Sequence, residues 1–254
     1  MKLYKRILGE GKPIVILHGL FGSSDNWQTF GRKLSEQGFR VILADLRNHG
    51  QSPHSDEMNF KVMAEDIKEL LDDEGLPSAF LAGHSLGGKT AMKFAFMYPE
   101  MISKLVVIDI APRAYPVHHQ GIIESLQKVD TNSLKTRAEA ESQLAIGIED
   151  SSTQQFLLKN LYRKEKDLFA WRFNLDAIKK QIENVGEATY PSSPFDKPTL
   201  FIRGEKSIYI NYDDEREIYD HFLNVVVKAA PTSGHWVHAD NPEWLLGEFL
   251  NFTK

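Results

Sequence analysis

Residues 81–89 read LAGHSLGGK: an apolar run enters a serine held between glycines, and a long helical pattern follows. Gly83, His84, Ser85, Leu86 and Gly87 have the spacing G-x-S-x-G. Between a strand and a helix, that spacing marks a turn so tight that neighbouring backbones nearly touch. Glycine at 83 and 87 removes the Cβ atoms that would clash there. The turn is expected to lift the Ser85 hydroxyl above the sheet edge and to aim the Leu86 N–H, at the helix start, toward the same spot. Nucleophile and oxyanion donor then come from one turn.

The surrounding text supplies the strands and helices that this turn needs. Short apolar runs at 14–17, 40–44, 79–82, 105–109, 199–203 and 225–229 alternate with amphipathic stretches. That pattern predicts an α/β fold with a mostly parallel sheet flanked by helices. Phe60, Met63, Ala64, Ile67, Leu70 and Leu71 recur at helical spacing behind Asn59, a candidate N-cap. From 113 to 190 the text is helical and polar with no convincing strand, and the proline-rich PSSPFDKP at 191–198 returns the chain to the sheet. The expected organisation is one core of residues 1–112 and 191–254 with a helical cap, 113–190, inserted in it.

Composition narrows the chemistry. The 254 residues are 42% hydrophobic, enough for a full core, and carry a net charge of -5 without basic clusters, so nucleic acid is not an expected partner. A chain without cysteine has no disulfide, thiolate nucleophile or Cys-ligated zinc. No apolar run reaches the roughly 18 residues of a membrane span, and the N-terminus lacks a signal-peptide pattern, which predicts a cytoplasmic protein.

A serine needs a base within reach. His235, in APTSGHWVHADNPE, follows the last predicted strand and precedes the last helix, which puts it on a loop at the same sheet edge. His238 makes an H-x-x-H with it, but no third ligand is in sight, so a packed or solvated role is expected and no metal is predicted. The adjacent His118 and His119 point different ways and are not expected to bind metal either.

With HGLFGSSDNW, DLRNHGQSP, GHSLGGK, VVIDIAP, WRFNLDAI and GHWVHADNPE in that order, nearly the whole chain resembles the α/β-hydrolase superfamily. Within it the chain resembles the cap-bearing esterase branch of YbfF-like and ABHD11-like proteins. The superfamily often places its acid after the strand PTLFIRG, where this chain reads Gly204, Glu205, Lys206, Ser207. Related hydrolases draw the acid from the strand next to the nucleophile strand, which implies Asp109 as the partner of His235, with Glu205 as its rival.

The resemblance further implies that His18-Gly19-Leu20-Phe21 forms the oxyanion loop, with the Leu20 N–H as second donor and Phe21 next in line. Arg47, in the D-x-R-x-x-G-x-S turn, is expected to brace loops, and Lys89 to support the site through an ion pair. Phe21, Trp171 and Trp236 are the expected apolar pocket walls.

The reaction these readings predict is acyl transfer to water on a small-molecule ester or thioester through a Ser85–His235–Asp109 triad, without a cofactor. A serine nucleophile argues against dehalogenase or epoxide-hydrolase chemistry, which needs a carboxylate. Hydrolysis of another carbonyl bond, or a non-catalytic binding protein on the same fold, are the alternatives. Small to medium acyl chains are what the resemblance implies, and the oligomeric state is open.

Overall fold

The computed structural model describes residues 1–117, 119–165 and 168–253. Its frame is a seven-stranded sheet in the order β1-β3-β2-β4-β5-β8-β9. The strands are β1 (Lys5–Leu8), β2 (Lys12–Leu17), β3 (Phe39–Ala44), β4 (Ala79–His84) and β5 (Ile102–Ile108), and then, after the excursion described below, β8 (Thr199–Gly204) and β9 (Val225–Ala230). All pair in parallel except β1, which runs antiparallel to β3.

Both faces of the sheet are buried, so the strands read as continuous apolar runs. Period-2 alternation divides them. Val15, Leu17, Ile42, Leu81, Leu105 and Val107 face one core, and Ile14, Ile16, Val41, Leu43, Phe80 and Val106 face the other. The first core is closed by α2 (Phe60–Asp73) and α3 (Leu86–Met97), and the second by α1 (Gln28–Ser35) and the C-terminal helix, Pro242–Thr253. Asn59 caps α2 by accepting from the Val62 N–H at 3.0 Å, and the apolar set expected on that helix is its buried face.

The chain leaves the sheet after β5 and returns at β8. Between them lie α4 (Gln120–Lys128), α5 (Arg137–Leu144), α6 (Ser151–Leu158), β6 (Leu161–Glu165), β7 (Leu168–Trp171), α7 (Leu175–Lys180) and α8 (Ile182–Gly186). The antiparallel hairpin β6–β7 corrects the reading of this segment as strand-free. Arg163, Lys164 and Glu165 hide its strand in a charged text, and the pairing is set by tertiary position against the local signal. The segment docks on core loops through side-chain amides: Asn160 donates to Phe21 O (2.7 Å), Gln181 to Asp56 O (3.0 Å) and Asn184 to Met58 O (2.9 Å). After β8 come α9 (Tyr212–His221), the short α10 (Val237–Asp240) and α11 (Pro242–Thr253). Among the described residues no helix is long and apolar enough to cross a membrane.

Arg47 is the brace that its turn suggested. Its guanidinium grips both oxygens of Asp66 on α2, at 2.7 and 2.8 Å, and also donates to Glu57 O. Both side chains are almost fully buried. The Met1 amino group also binds Asp66, at 2.6 Å, so removing Arg47 leaves that carboxylate partly paired, at a cost near the lower end of the about 3–5 kcal/mol of a broken buried pair. Arg47→Met is therefore expected to lower unfolding stability by about that amount, read as a shift of the urea midpoint at unchanged slope.

Candidate active site

Three residues of the site sit in the left-handed backbone region that side chains avoid: Phe21 (φ 58°), Ser85 (φ 52°) and Asp109 (φ 52°). Ser85 and Asp109 directly follow strands, and Phe21 lies in the loop after β2. At the elbow, a Cβ added to Gly83 would lie 2.1 Å from Gly87 O, and one added to Gly87 would lie 2.5 Å from Leu17 O. The sheet ladder runs on into the site. Ser85 N–H donates to Ile108 O at 3.0 Å, and Asp109 N–H donates to Ile202 O at 2.7 Å. The position of both residues is thus set by strand register.

Asp109 is fully buried, and its carboxylate is held by three donors. His235 Nδ1–H donates to Oδ2 at 2.7 Å, Gly204 N–H donates to Oδ1 at 2.8 Å, and the Ser207 hydroxyl also binds Oδ2. Glu205 is elsewhere: its carboxylate accepts from Thr232 N–H at 2.7 Å. With Nδ1 donating to Asp109, the His235 ring carries its free lone pair on Nε2. Tyr209 stacks on that ring, centroids 3.9 Å apart at 17°, and His84 Nε2–H donates to the His235 carbonyl at 2.8 Å. Ser85 and His235 line one cavity of about 150 Å³. Their side chains are not hydrogen-bonded to each other, a link that ligand-free sites commonly form only with substrate present.

The loop that follows β2 is pinned from behind. Phe21 N–H donates to His49 Nε2 at 3.1 Å, and Phe21 O accepts from Asn160 at 2.7 Å. The Phe21 amide is therefore already engaged, while Leu20 lines the cavity beside Ser85. His49 is a residue that sequence reading passed over inside its turn, as are Ser207 and Tyr209. The local text around each gives no sign of a partner roughly 30 to 100 positions away.

Phe21 and Trp236 line the cavity. Trp171 does not, and this corrects its placement as a wall: it stacks on Phe173 (5.3 Å, 9°), whose edge meets Phe21 (5.2 Å), one layer behind the surface. Its aromatic text belongs to packing, where an extended flat contact stabilises more than exposure to a cavity. Phe156 supplies the aromatic face instead, tilted against Trp236 at 5.3 Å. His119 lines the cavity, and His118 lies outside the described residues. Lys89 makes no ion pair of the kind expected. Its buried Nζ donates to three carbonyls, Pro112 O (2.8 Å), Arg113 O (2.5 Å) and Glu187 O (2.9 Å), joining the exit and return of the segment above the sheet.

His18, His49, His84 and His238, around the site, are buried and neutral. Burial lowers His18 to about 4, His49 to about 3 and His238 to about 3, and holds His84 well below its ordinary value. Their partners fix the ring forms. His18 and His49 each donate Nδ1–H to a carbonyl and accept a backbone N–H at Nε2, from Leu46 (3.0 Å) and from Phe21. His238 is packed, stacked on Trp27 at 4.4 Å.

A model of the α/β hydrolase fold family matches residues 12–242, and the chain belongs to that family. It stands among esterases and lipases. The sn-1-specific diacylglycerol lipase ABHD11 of Danio rerio is 35% identical over 253 residues, which cover 97% of this chain and 80% of that protein. Esterase YbfF of Escherichia coli is 36% identical, covering 92% of this chain and 90% of its own. A solved marine microorganism esterase is 41% identical, with a TM-score of 0.96 and 99% of both chains covered.

The neutral rings set an acid limit on stability. Their folded pKa values lie below the unfolded value of 6.5, so as pH falls below about 6.5 the unfolded chain takes up protons that the folded chain refuses. Stability is expected to drop on the order of 1.4 kcal/mol per pH unit for each ring until about pH 4. Urea midpoints measured between pH 7.5 and 4.5 should fall steadily, and His238→Phe should make that slope shallower.

Proposed function

We propose that the protein is a serine esterase in which Ser85 attacks the carbonyl carbon of a carboxylic ester while His235 Nε2 takes the hydroxyl proton. Asp109 holds the His235 ring in that tautomer and stabilises the imidazolium as it forms. The Leu20 and Leu86 N–H groups receive the developing oxyanion, each worth about 3 kcal/mol of barrier where such donors have been removed in other enzymes. His235 returns the proton to the leaving alcohol, an acyl-enzyme forms on Ser85, and water releases the acid by the same steps. Residues 113–190 serve as the cap over this site. The observation that supports the reading most strongly is the 2.7 Å bond from His235 Nδ1 to a fully buried Asp109, on the wall that Ser85 shares. The naming of the relatives as esterases and as a diacylglycerol lipase supports an ester as the substrate class. Acyl thioesters meet the same geometry.

Hydrolysis of nitrophenyl esters tests the reading. Ser85→Ala is expected to lower kcat by about 10⁴-fold or more, and a fluorophosphonate should label the wild type but not this variant. Asp109→Asn should lower kcat by about 10³- to 10⁴-fold with the fold retained, whereas Glu205→Gln should leave it within a few-fold. If Glu205→Gln proves the crippling change, the acid is reassigned.

A further inference from the structure

The tetrahedral carbon formed in ester hydrolysis has four directions, and the proposed mechanism assigns three of its substituents. The attacking oxygen is Ser85 Oγ, the oxyanion lies at the Leu20 and Leu86 amides, and the leaving oxygen must face His235, which protonates it. The acyl chain has to occupy what is left.

Two cavities meet at Ser85. The larger, of about 150 Å³, is bounded by His235 together with Trp236, Phe156, Leu157 and Thr153. The smaller, of about 30 Å³, lies toward α3 and α8 and is walled by Leu86, Ile110, Val117, Ile182 and Val185. His235 borders only the larger one. The smaller cavity also touches Lys89 and Tyr115, whose polar ends are already engaged. All three Lys89 ammonium protons go to backbone carbonyls, and the Tyr115 hydroxyl donates to Tyr209 O at 2.5 Å. Neither has a proton to offer a ligand, and aliphatic side chains make up most of the remaining wall, with His119 and Tyr209 on the side shared with the larger cavity.

Resting on the serine-esterase reading, we infer that the two cavities divide the substrate, the smaller taking the acyl chain and the larger the alcohol. The substrate class is then a short-chain acyl ester of a bulky apolar alcohol. A water-sized body needs about 10–15 Å³ by the same measure, so the smaller cavity admits about two or three heavy atoms beyond the carbonyl. That is a propionyl or butyryl chain. The larger cavity takes about ten, the size of an aryl or branched alkyl group. Val185 and Ile182, from α8, set the acyl limit, and Phe156, from α6, shapes the alcohol side.

Two ester series separate the halves: nitrophenyl esters from acetyl to dodecanoyl, and acetates of alcohols of increasing bulk. The wild type should show its highest kcat/KM between acetyl and butyryl and lose at least about 10-fold by octanoyl, while accepting bulky alcohols. Val185→Ala should move the acyl optimum one or two carbons longer, with Ile182→Ala as a second variant should the first fold poorly. Phe156→Ala should alter the alcohol profile. A wild-type optimum at octanoyl or longer would overturn the inference, as would an acyl profile unmoved by both α8 variants. Crossed responses, with Val185→Ala acting on the alcohol series and Phe156→Ala on the acyl series, would also overturn it. Turnover that survives in Ser85→Ala would instead overturn the esterase reading beneath it.

Discussion

Under Ser85 the backbone approaches itself more closely than any side chain permits. Gly83 lies against Gly87, and Gly87 against the carbonyls of Leu17 and His18, so that strand β4, helix α3 and the end of β2 share one crowded point. Everything else in the site is placed relative to that point. Crowding there forces Ser85 into the left-handed region, which lifts its side chain off the strand and leaves the Leu86 amide at the first turn of α3. Because β2 ends in the same place, the loop that follows it brings Leu20 to the wall beside the hydroxyl.

Much of this was legible because it is local. An elbow, a cap residue such as Asn59 and the short apolar runs of the strands are written in neighbouring positions. Asp109 is pointed to by the missing aspartate after β8 and by the resemblance to hydrolases with the acid one strand over. What was not legible depends on residues far apart in sequence. The His49–Phe21 bond, the Ser207 hydroxyl on Asp109, and the Tyr209 ring under His235 come from pairings that only the closed sheet produces. Trp171 was misplaced for the same reason. An aromatic stripe looks alike whether it walls a cavity or packs behind one, and only Phe173 in between decides it. The β1 strand and the β6–β7 hairpin are set by their partners too, against a weak signal of their own.

Electrostatically the site surrounds its buried acid with neutral rings. Asp109 is buried with three donors, and the rings of His18, His49, His84 and His238 are desolvated and uncharged. A positive charge on His84 or His238 would sit close to His235 and oppose the imidazolium that the proposed mechanism forms there. Using them instead as fixed hydrogen-bond partners orients the loops without adding a competing field. The consequence for stability appears at acid pH, where the unfolded chain gains protons that the folded one cannot.

Gly204 has a wider meaning than its hydrogen bond to Asp109. It ends β8, the strand between the one that carries Asp109 and the one that leads to His235. A side chain there would meet the Gly234 carbonyl at 2.1 Å. The bare backbone lets the histidine loop cross over the strand end and reach an acid two strands away. With Asp109, at the end of β5, as the proposed acid, the loop after β8 is relieved of supplying one, and what it brings to the site is the Gly204 amide, the Ser207 hydroxyl and the Tyr209 ring. Sequence drift at the exposed Lys206 and Ile208 is then free to remodel the surface of that loop. A lineage of such proteins could diversify there while its chemistry stayed constant.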